Sequence, residues 1–217
     1  MKKTNLLNAL RYLPYDIVKY LLGLPGLLWF RPHILYESPA AKKRVRGGAI
    51  AISNHNGFHD PVYLQYAIWY RRHHFVCLQK LLDGKLGFLF RFFLCIPIDK
   101  ENVNINTFHS IVDHLNREEL VSMFPEGKVN DGSGNMAVFK SGVVLMALKS
   151  KKPIIPVYIE QKKHWYSRLS VIIGEPILTD EGVRTFRSID ETTAMIEEKE
   201  KKLKTILEER LCRQAEK

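Results

Sequence analysis

A histidine and an aspartate stand five positions apart in the segment Ser53-Asn54-His55-Asn56-Gly57-Phe58-His59-Asp60. A carboxylate beside a histidine fixes the ring tautomer and stabilises the imidazolium, so the ring can take a proton from a hydroxyl near neutral pH. The spacing alone is weak evidence, because such a pair often arises by chance. It predicts a general base, His55, that is oriented by Asp60.

A second segment whose residues could take part in a reaction lies further along the chain, Met123-Phe124-Pro125-Glu126-Gly127-Lys128. It places an acidic side chain and a glycine, which tolerates backbone angles that other residues avoid, directly after an apolar run. An apolar run also precedes His55. Because functional groups gather at strand ends in α/β sheets, the two segments are expected to meet.

Together these segments resemble the glycerolipid acyltransferase family, whose bacterial members acylate lysophosphatidic acid. The family's first motif is Asn-His-x-x-x-x-Asp and its third is Phe-Pro-Glu-Gly. Cys95-Ile96-Pro97-Ile98-Asp99-Lys100 is similar to the second motif, Phe139-Lys140-Ser141-Gly142 to the segment after the third, and Pro153-Ile154-Ile155-Pro156-Val157-Tyr158 to the fourth. The resemblance extends from about Gly48 to Pro176, and ordered segments are far more specific than one pair.

The resemblance implies an O-acyltransferase that moves a fatty acyl group from acyl-CoA or acyl-carrier protein to a glycerolipid hydroxyl. The acceptor it implies is a lysophospholipid, 1-acyl-glycerol 3-phosphate, which would give phosphatidic acid in phospholipid biosynthesis. His55 and Asp60 would be catalytic. The substrates would be bound by Phe124, Glu126, Gly127, Lys128, Lys100, Lys140 and Lys80. Neither a metal nor a redox cofactor is implied.

Two positions depart from the family pattern. Gly57 stands where the family often has serine, and Lys128-Val129 stands where it often has Thr-Arg. In relatives that arginine is implicated in gripping the acceptor phosphate, whereas a lysine keeps the charge without the two-pronged guanidinium geometry. Another lysolipid, glycerol 3-phosphate or a non-phosphorylated acceptor therefore stays open. Glu126 also has a structural interpretation, as a carboxylate that satisfies loop amides.

Two rival classes use the same residues. A His-x-x-x-His pair on a helix can bind zinc, so His55 and His59 allow a zinc-dependent hydrolase. The usual intervening glutamate is missing, and Asn56-Gly57 is poor helix. A non-catalytic membrane-binding protein that keeps the fold is the other alternative. His73 and His74, beside two arginines, are predicted to be a solvated patch.

Apolar runs alternate with helical patterns and predict an α/β fold, a single layered domain with a mixed, mostly parallel sheet flanked by helices. The domain is expected to cover residues 37–217, after an N-terminal segment, residues 1–36. Predicted strands cover residues 48–53, 75–78, 94–98, 120–124, 154–160 and 169–173. Predicted helices begin at Asp60 or cover residues 86–93, 104–116, 141–150 and 190–212. The last helix should dock on the domain through Met195, Leu203, Ile206, Leu207 and Leu211.

The N-terminal segment is apolar but interrupted by charges. Its longest charge-free run has 11 residues, Tyr20 to Phe30, whereas a spanning helix needs about 20. At helical spacing Leu6, Leu10, Leu13, Ile17 and Leu21 share one face, and Asn8, Arg11, Asp16, Lys19, Tyr12 and Tyr15 the other. This pattern is typical of a helix in a membrane interface, kinked at Pro14 and ended by Gly23, Pro25 and Gly26. The alternative is a helix that covers the domain core with its apolar face.

The charge of this 217-residue chain, formally +10, indicates an anionic partner. The basic residues are dispersed and no nucleic-acid motif accompanies them, so a membrane surface is favoured over nucleic acid. Together with the substrate class this predicts a peripheral or monotopic protein at the cytoplasmic face of the membrane. Cys77, Cys95 and Cys212 are far apart and are expected to be free thiols.

Overall fold

A seven-stranded sheet in the order β1-β7-β6-β2-β5-β3-β4 forms the centre of the fold. The computed structural model describes residues 10–99, 105–130, 137–160, 168–179 and 185–215. The strands are β1 (His33–Tyr36), β2 (Ala49–Ser53), β3 (His73–Leu78), β4 (Ile96–Ile98), β5 (Leu120–Met123), β6 (Ile154–Ile159) and β7 (Ser170–Ile173). All neighbours are parallel except β6 and β7, which are antiparallel. The predicted mixed, mostly parallel sheet is therefore confirmed.

Helices cover both faces of this sheet. They are α1 (Leu13–Phe30), α2 (Asp60–Ala67), α3 (Gln79–Asp83), α4 (Gly87–Phe92), α5 (Ile105–Asn116), α6 (Gly142–Ser150) and α7 (Phe186–Ala215). Strand β2 is wholly buried, and its alanine and isoleucine side chains alternate. Ile50 and Ile52 pack against α5 and α6. Ala49 and Ala51 face the opposite way, towards α2. Because successive side chains of a strand point to opposite faces, this one strand joins two cores.

The predicted strand ends agree with the structure to within two residues, but two elements were not predicted. Helix α3 follows β3 directly. Strand β1 lies within residues 1–36 and pairs in parallel with β7, from His33 opposite Ser170 to Tyr36 opposite Ile173. The sheet thus begins before residue 37. Nothing in the residues around His33 indicates this pairing, because the partner strand lies more than a hundred residues away.

Helix α1 runs through the predicted breakers Gly23, Pro25 and Gly26, so that prediction was wrong. The helix begins at Leu13, directly after a turn at Tyr12 and close to Pro14, where a kink was predicted. Pro14 lies in the first helical turn, where a missing N–H costs little. A Cβ atom on Gly23 would lie 2.2 Å from the Trp69 ring, and one on Gly26 would lie 1.9 Å from the Tyr66 hydroxyl. The glycines therefore allow close contact with α2 and the turn after it.

The polar face of α1, not its apolar face, docks on the domain. Lys19 is buried and donates to the carbonyl oxygens of Trp69 and Arg71 at 2.7 and 2.8 Å, and burial lowers the pKa of its ammonium to about 8. Asp16 pairs with Arg72, and Tyr15 is buried against the domain rather than near headgroups. The large apolar side chains left exposed on α1 include Leu13, Ile17, Leu21, Leu24 and Leu28. The alternative of a helix that covers the core with its apolar face is therefore wrong, while Leu6 and Asn8 lie outside the described residues.

Helix α7 docks on β6 and β7, as predicted, through Leu203 and Leu207. Met195 is an exception, because it is exposed and Ile196 occupies the buried position instead. The prediction of a solvated patch at His73 and His74 was wrong, since both rings are buried. They begin a strand in the middle of the domain, and the two arginines beside them turn outwards to bind carbonyls or Asp16.

Candidate active site

His55 and Asp60 lie at the carboxyl end of β2, in the loop that leads into α2. The His55 Nδ1 atom is 2.8 Å from Asp60 Oδ2. The same oxygen accepts the backbone N–H groups of Asn56 at 2.6 Å and Gly57 at 2.7 Å. Because an ionised carboxylate only accepts hydrogen bonds, Nδ1 carries the proton and Nε2 keeps its lone pair. The predicted pairing is present, and Nε2 is the atom that can act as a base.

Asp60 is only 3% exposed, and it is the first residue of α2. Its charge is balanced by three hydrogen-bond donors and by the positive end of the helix dipole. Pro61, next in the chain, occupies the first turn of α2 without loss of a hydrogen bond. The local sequence thus fixes the carboxylate before any substrate binds.

The His55 ring is held on its other side by Phe124, which follows β5. The two ring centroids are 4.1 Å apart and the rings are nearly parallel, at 16°. With one edge bonded to Asp60 and one face covered by Phe124, the imidazole has little rotational freedom. The two sequence segments therefore meet, as predicted.

Glu126 braces the loops around His55. It is 4% exposed, and its Oε1 accepts the N–H of His55 at 3.0 Å and the side-chain amide of Asn130 at 3.3 Å. Its Oε2 accepts the N–H of Ala137 at 2.8 Å. The backbone N–H of Asn130 also donates to the His55 carbonyl at 2.7 Å. These hydrogen bonds agree with the structural interpretation of Glu126, in which the carboxylate satisfies loop amides. Contact between Glu126 and the substrate stays a prediction.

Asn54 and Asn56 tie the histidine loop to β6, and neither was assigned a role from the sequence. Asn54 is buried, donates to the Ile159 carbonyl at 2.9 Å and accepts the Ile159 N–H at 2.8 Å. Asn56 donates to the same carbonyl at 3.1 Å. A short amide side chain directly after a buried strand is the one signal that could have indicated this function.

Gly127 has φ +65°, a left-handed conformation that favours glycine. A Cβ atom there would lie 3.1 Å from Lys140 Cε, so the Lys140 side chain passes close to this turn. The Lys140 N–H also donates to Pro125 O at 3.1 Å. Lys128 and Lys140 are exposed beside the turn. Cationic groups thus lie next to the segment that carries Glu126.

The two other predicted lysines stand apart from this turn. Lys80 is exposed in α3, directly after β3 and at the same edge of the sheet as His55. Lys100 lies outside the described residues. Among the described residues, none of His55, His59 and Asp60 belongs to a group of three or more side chains whose metal-binding atoms lie close together. The geometry required by a zinc-dependent hydrolase is thus not found in the part of the site that is described.

Helix α7 brings one more carboxyl group towards this site. Glu200 is fully buried and its side chain has no hydrogen-bond partner among the described residues. Burial, and then the negative charges of Glu126 and Glu197, raise the pKa of Glu200 well above its ordinary value. Burial thus favours the protonated form of Glu200, within electrostatic range of Glu126.

Comparisons with known proteins agree on one family. Residues 35–160 match the family model described as Acyltransferase. The chain is 24% identical over 136 residues to the 1-acyl-sn-glycerol-3-phosphate acyltransferase of Bacillus subtilis strain 168, across 60% of this chain and 67% of that protein. It is 33% identical over 86 residues to glycerol-3-phosphate O-acyltransferase 2 of Saccharomyces cerevisiae, but this covers 36% of the chain and 11% of that protein.

A solved structure has the same fold. It is the 1-acyl-sn-glycerophosphate (LPA) acyltransferase PlsC from Thermotoga maritima, with a TM-score of 0.62 and 18% sequence identity. The match covers 96% of this chain and 84% of that chain. The likeness therefore extends beyond the motifs to nearly the whole chain.

Proposed function

Since this chain belongs to the acyltransferase family, we propose that it moves a fatty acyl group from an acyl thioester to the hydroxyl of 1-acyl-glycerol 3-phosphate, giving phosphatidic acid. The observation that carries the proposal is the contact of 2.8 Å between His55 Nδ1 and Asp60 Oδ2. It leaves Nε2 as a base in a loop whose backbone is already fixed. The donor is acyl-CoA or acyl-carrier protein.

In the proposed reaction His55 Nε2 takes the proton of the acceptor hydroxyl as its oxygen attacks the thioester carbonyl carbon. The positive charge that forms on the imidazole is stabilised by the buried carboxylate of Asp60. The tetrahedral oxyanion then collapses, the carbon–sulfur bond breaks, and the thiolate takes the proton back from His55. No acyl group needs to be attached to the enzyme at any stage.

Lysines beside the site support a phosphorylated acceptor. Lys128 and Lys140 lie at the mouth of the Glu126-Gly127 turn, and both are exposed. An ammonium group attracts a phosphate as a compact charge, without the directional fork of arginine. Lys100 is assigned to the phosphate, and Lys80 to an anionic group of either substrate, on sequence grounds. A lysolipid with another headgroup is the alternative that these lysines leave open.

The exposed apolar face of α1 supports attachment to a membrane surface, and the cytoplasmic side is proposed from the substrate class alone. Leu21 is 68% exposed and Leu28 is 82% exposed, and each apolar side chain moved out of water contributes roughly 1.5–3 kcal/mol. No helix among the described residues is long and apolar enough to cross a bilayer. The attachment we propose is peripheral or monotopic, with the docked polar face of α1 turned away from the lipid.

The end of helix α1 lies close to the site. Phe30, at the end of α1, lies 5.4 Å from the Tyr63 ring, and Tyr63 stacks on His59 at 6.2 Å between centroids. Phe58, between His55 and His59, is 78% exposed. A lysolipid held in the membrane surface would therefore meet apolar side chains close to the general base.

The direct test is acyl transfer by the purified full-length protein. Palmitoyl-CoA and palmitoyl-acyl-carrier protein would each be offered with 1-acyl-glycerol 3-phosphate, glycerol 3-phosphate and a lysolipid without phosphate, and products identified by mass spectrometry. We expect phosphatidic acid from the first acceptor, and a loss of about 10²–10⁴-fold in His55→Ala. The exposed helix residue His109, changed to alanine, is the control. Preference for an acceptor without phosphate would overturn the substrate assignment, and near-normal turnover by folded His55→Ala would overturn the mechanism.

A metal-chelation arm separates this proposal from zinc hydrolysis. Attack on an activated thioester by an enzyme base requires no Lewis acid, so turnover should survive EDTA treatment at temperatures where the protein stays folded. Turnover that is lost with EDTA while the circular dichroism spectrum is unchanged, and that zinc restores, would show that His55 belongs to a metal centre.

A further inference from the structure

Three side chains with metal-binding atoms converge at the edge of the sheet opposite to His55. They are His74, the second residue of strand β3, His114 in the last turn of α5, and Glu119 just before β5. One ligand atom from each lies within 4.8 Å of the others. The His74 Nε2 atom is 3.6 Å from Glu119 Oε2, and the His114 Nδ1 atom is 2.5 Å from the same oxygen. Strand β5 separates this group from the catalytic loop along its whole length.

His74 has an unusual environment for a structural residue. Its two ring nitrogens are buried and have no hydrogen-bond partner among the described residues. Buried polar groups normally have a partner, and the polar atom that faces His74 Nε2 is Glu119 Oε2, 3.6 Å away.

We propose that His74, His114 and Glu119 bind a divalent transition-metal ion of the zinc class, at a site separate from the acyl-transfer chemistry. Zinc accepts imidazole nitrogens at about 2.0–2.1 Å and carboxylate oxygens at about 2.0–2.2 Å, with ligand atoms near the corners of a tetrahedron. Such ligand atoms lie roughly 3.3 Å apart. Two of the present distances, 2.5 and 3.6 Å, differ from that value by less than 1 Å, and all three ligand atoms lie within 4.8 Å of one another. Binding would require the side chains to adjust.

The site has an access route and a place for a fourth ligand. A cleft of about 380 Å³ is lined by His74, His114, Tyr12 and Ser110. Tyr12 also donates its hydroxyl proton to Glu119 Oε1 at 3.2 Å, so the carboxylate is already oriented by a second partner. Water from the cleft can complete the coordination, as in zinc sites with three protein ligands.

The charged groups around the site allow a cation to enter. Arg117 Nε lies 3.7 Å from Glu119 Oε2, but the Arg117 side chain is 57% exposed and can move into water. The other cations in the cleft are Arg11 and Arg91. The ligand set holds one carboxylate, that of Glu119, which can balance part of the charge of a cation. Arg117 therefore competes with the metal for Glu119, which gives a second, independent test.

A metal in this position would stabilise the fold. It would join α5, the beginnings of two central strands and, through Tyr12, the residue before α1. Anything that binds the folded chain and not the unfolded chain stabilises the fold. The ion would therefore strengthen the base on which α1 is docked, without touching the reacting groups.

Direct binding measurements test this assignment. Full-length protein carrying a tag without histidine would be freed of metal with a chelator, then titrated with Co²⁺ by visible absorption and with Zn²⁺ by calorimetry. We expect one ion per chain. His114→Gln and Glu119→Gln should each weaken binding by about 100-fold or more, because even the loss of an outer partner costs 10–100-fold. The control His109→Gln, on the same helix, should bind as the unchanged protein does.

Two further measurements keep the outcome clear if a variant folds poorly. Arg117→Gln should tighten binding by about 2–5-fold, since an exposed ion pair that competes with the metal is removed. Saturating Zn²⁺ should raise Tm by about 5 °C in the unchanged protein and not in His114→Gln. The assignment is overturned if no ion binds, if His55→Gln abolishes binding, or if Arg117→Gln leaves affinity unchanged while both glutamine ligand variants still bind.

Discussion

Replacement of Asp60 by asparagine isolates what the carboxylate charge does for His55. Three donors converge on one oxygen of Asp60: the His55 ring N–H at 2.8 Å and the backbone N–H groups of Asn56 and Gly57 at 2.6 and 2.7 Å. An amide nitrogen in that place would face two backbone donors. The amide oxygen of the substituted side chain must therefore take the position, and it can still accept from all three donors. The ring orientation and tautomer are kept, and only the negative charge is lost.

The lost interaction between the Asp60 charge and the imidazolium sets the size of the fall in kcat. Two unit charges about 4 Å apart interact by roughly 4 kcal/mol at the effective dielectric constant of a partly buried site. Each 1.36 kcal/mol of barrier is a factor of ten, so kcat of Asp60→Asn should fall by about 10³-fold. The acceptor KM should change little, because Asp60 is 3% exposed and has no room to touch the acceptor.

Asp60→Ala provides the comparison, because it removes the charge and also the shared acceptor. The partly buried backbone N–H groups of Asn56 and Gly57 would then lose their acceptor, at up to about 1–3 kcal/mol each, so Tm should fall as well as kcat. The matched control is Asp113→Asn, which makes the same substitution at an exposed position of α5. Steady-state kinetics and thermal unfolding of these variants would decide. A kcat within tenfold of normal in folded Asp60→Asn would refute the role given to the carboxylate.

Three other perturbations test the remaining parts of the proposal. Lys128→Ala should raise KM for a phosphorylated acceptor by about tenfold with little change in kcat, and an equal effect on an acceptor without phosphate would make the lysine structural. Leu21→Glu, on the exposed face of α1, should abolish co-sedimentation with anionic vesicles at unchanged Tm, whereas Leu145→Glu, on a helix at the other face of the sheet, should not. Glu200→Gln should stabilise the fold at pH 8 more than at pH 5. The folded chain holds a proton on Glu200 that the unfolded chain releases, so stability falls as pH rises above the ordinary value of 4.5, and removal of the acid removes this loss. The exposed Glu198, changed to glutamine, should leave that pH dependence in place; a Glu200→Gln profile that parallels the unchanged protein would contradict the reasoning.

Much of the sheet was predictable because its strands are buried on both faces and read as short apolar runs. Strand β2 is an example, since all five of its residues are buried. Strand β1 was not predicted, because only its pairing with the distant β7 distinguishes it from an apolar loop. Helix α7 was predicted to dock, but Met195 and Ile196 are neighbours in sequence and point about 100° apart. The contacts of the folded domain decide that Ile196 is buried and Met195 exposed.

The chemistry of His55 and Asp60 was accessible from the sequence, since both residues lie in one short loop and their contact is local. The brace around them was not. Glu126 receives bonds from His55, Asn130 and Ala137, and Asn54 joins β2 to β6, and these contacts depend on loops that meet only after the sheet has formed. Sequence motifs therefore indicated which residues matter here, and not which of them hold the others in place.

By itself the sequence determined the family, the alternation of strands and helices, and the amphipathic character of α1, because these depend on residue types and short-range periodicity. Only the tertiary structure decided which face of α1 meets the domain. Lys19 and Asp16 find a carbonyl pair and an arginine on the domain surface, so the polar face docks and the leucines stay outside. The same holds for His74, whose histidine and arginine neighbours in sequence suggested water, while the sheet placed it in the interior beside His114 and Glu119. A hydrophobic pattern gives the two faces of a helix, but the side that becomes the inside is set by the partners that other parts of the chain present to it.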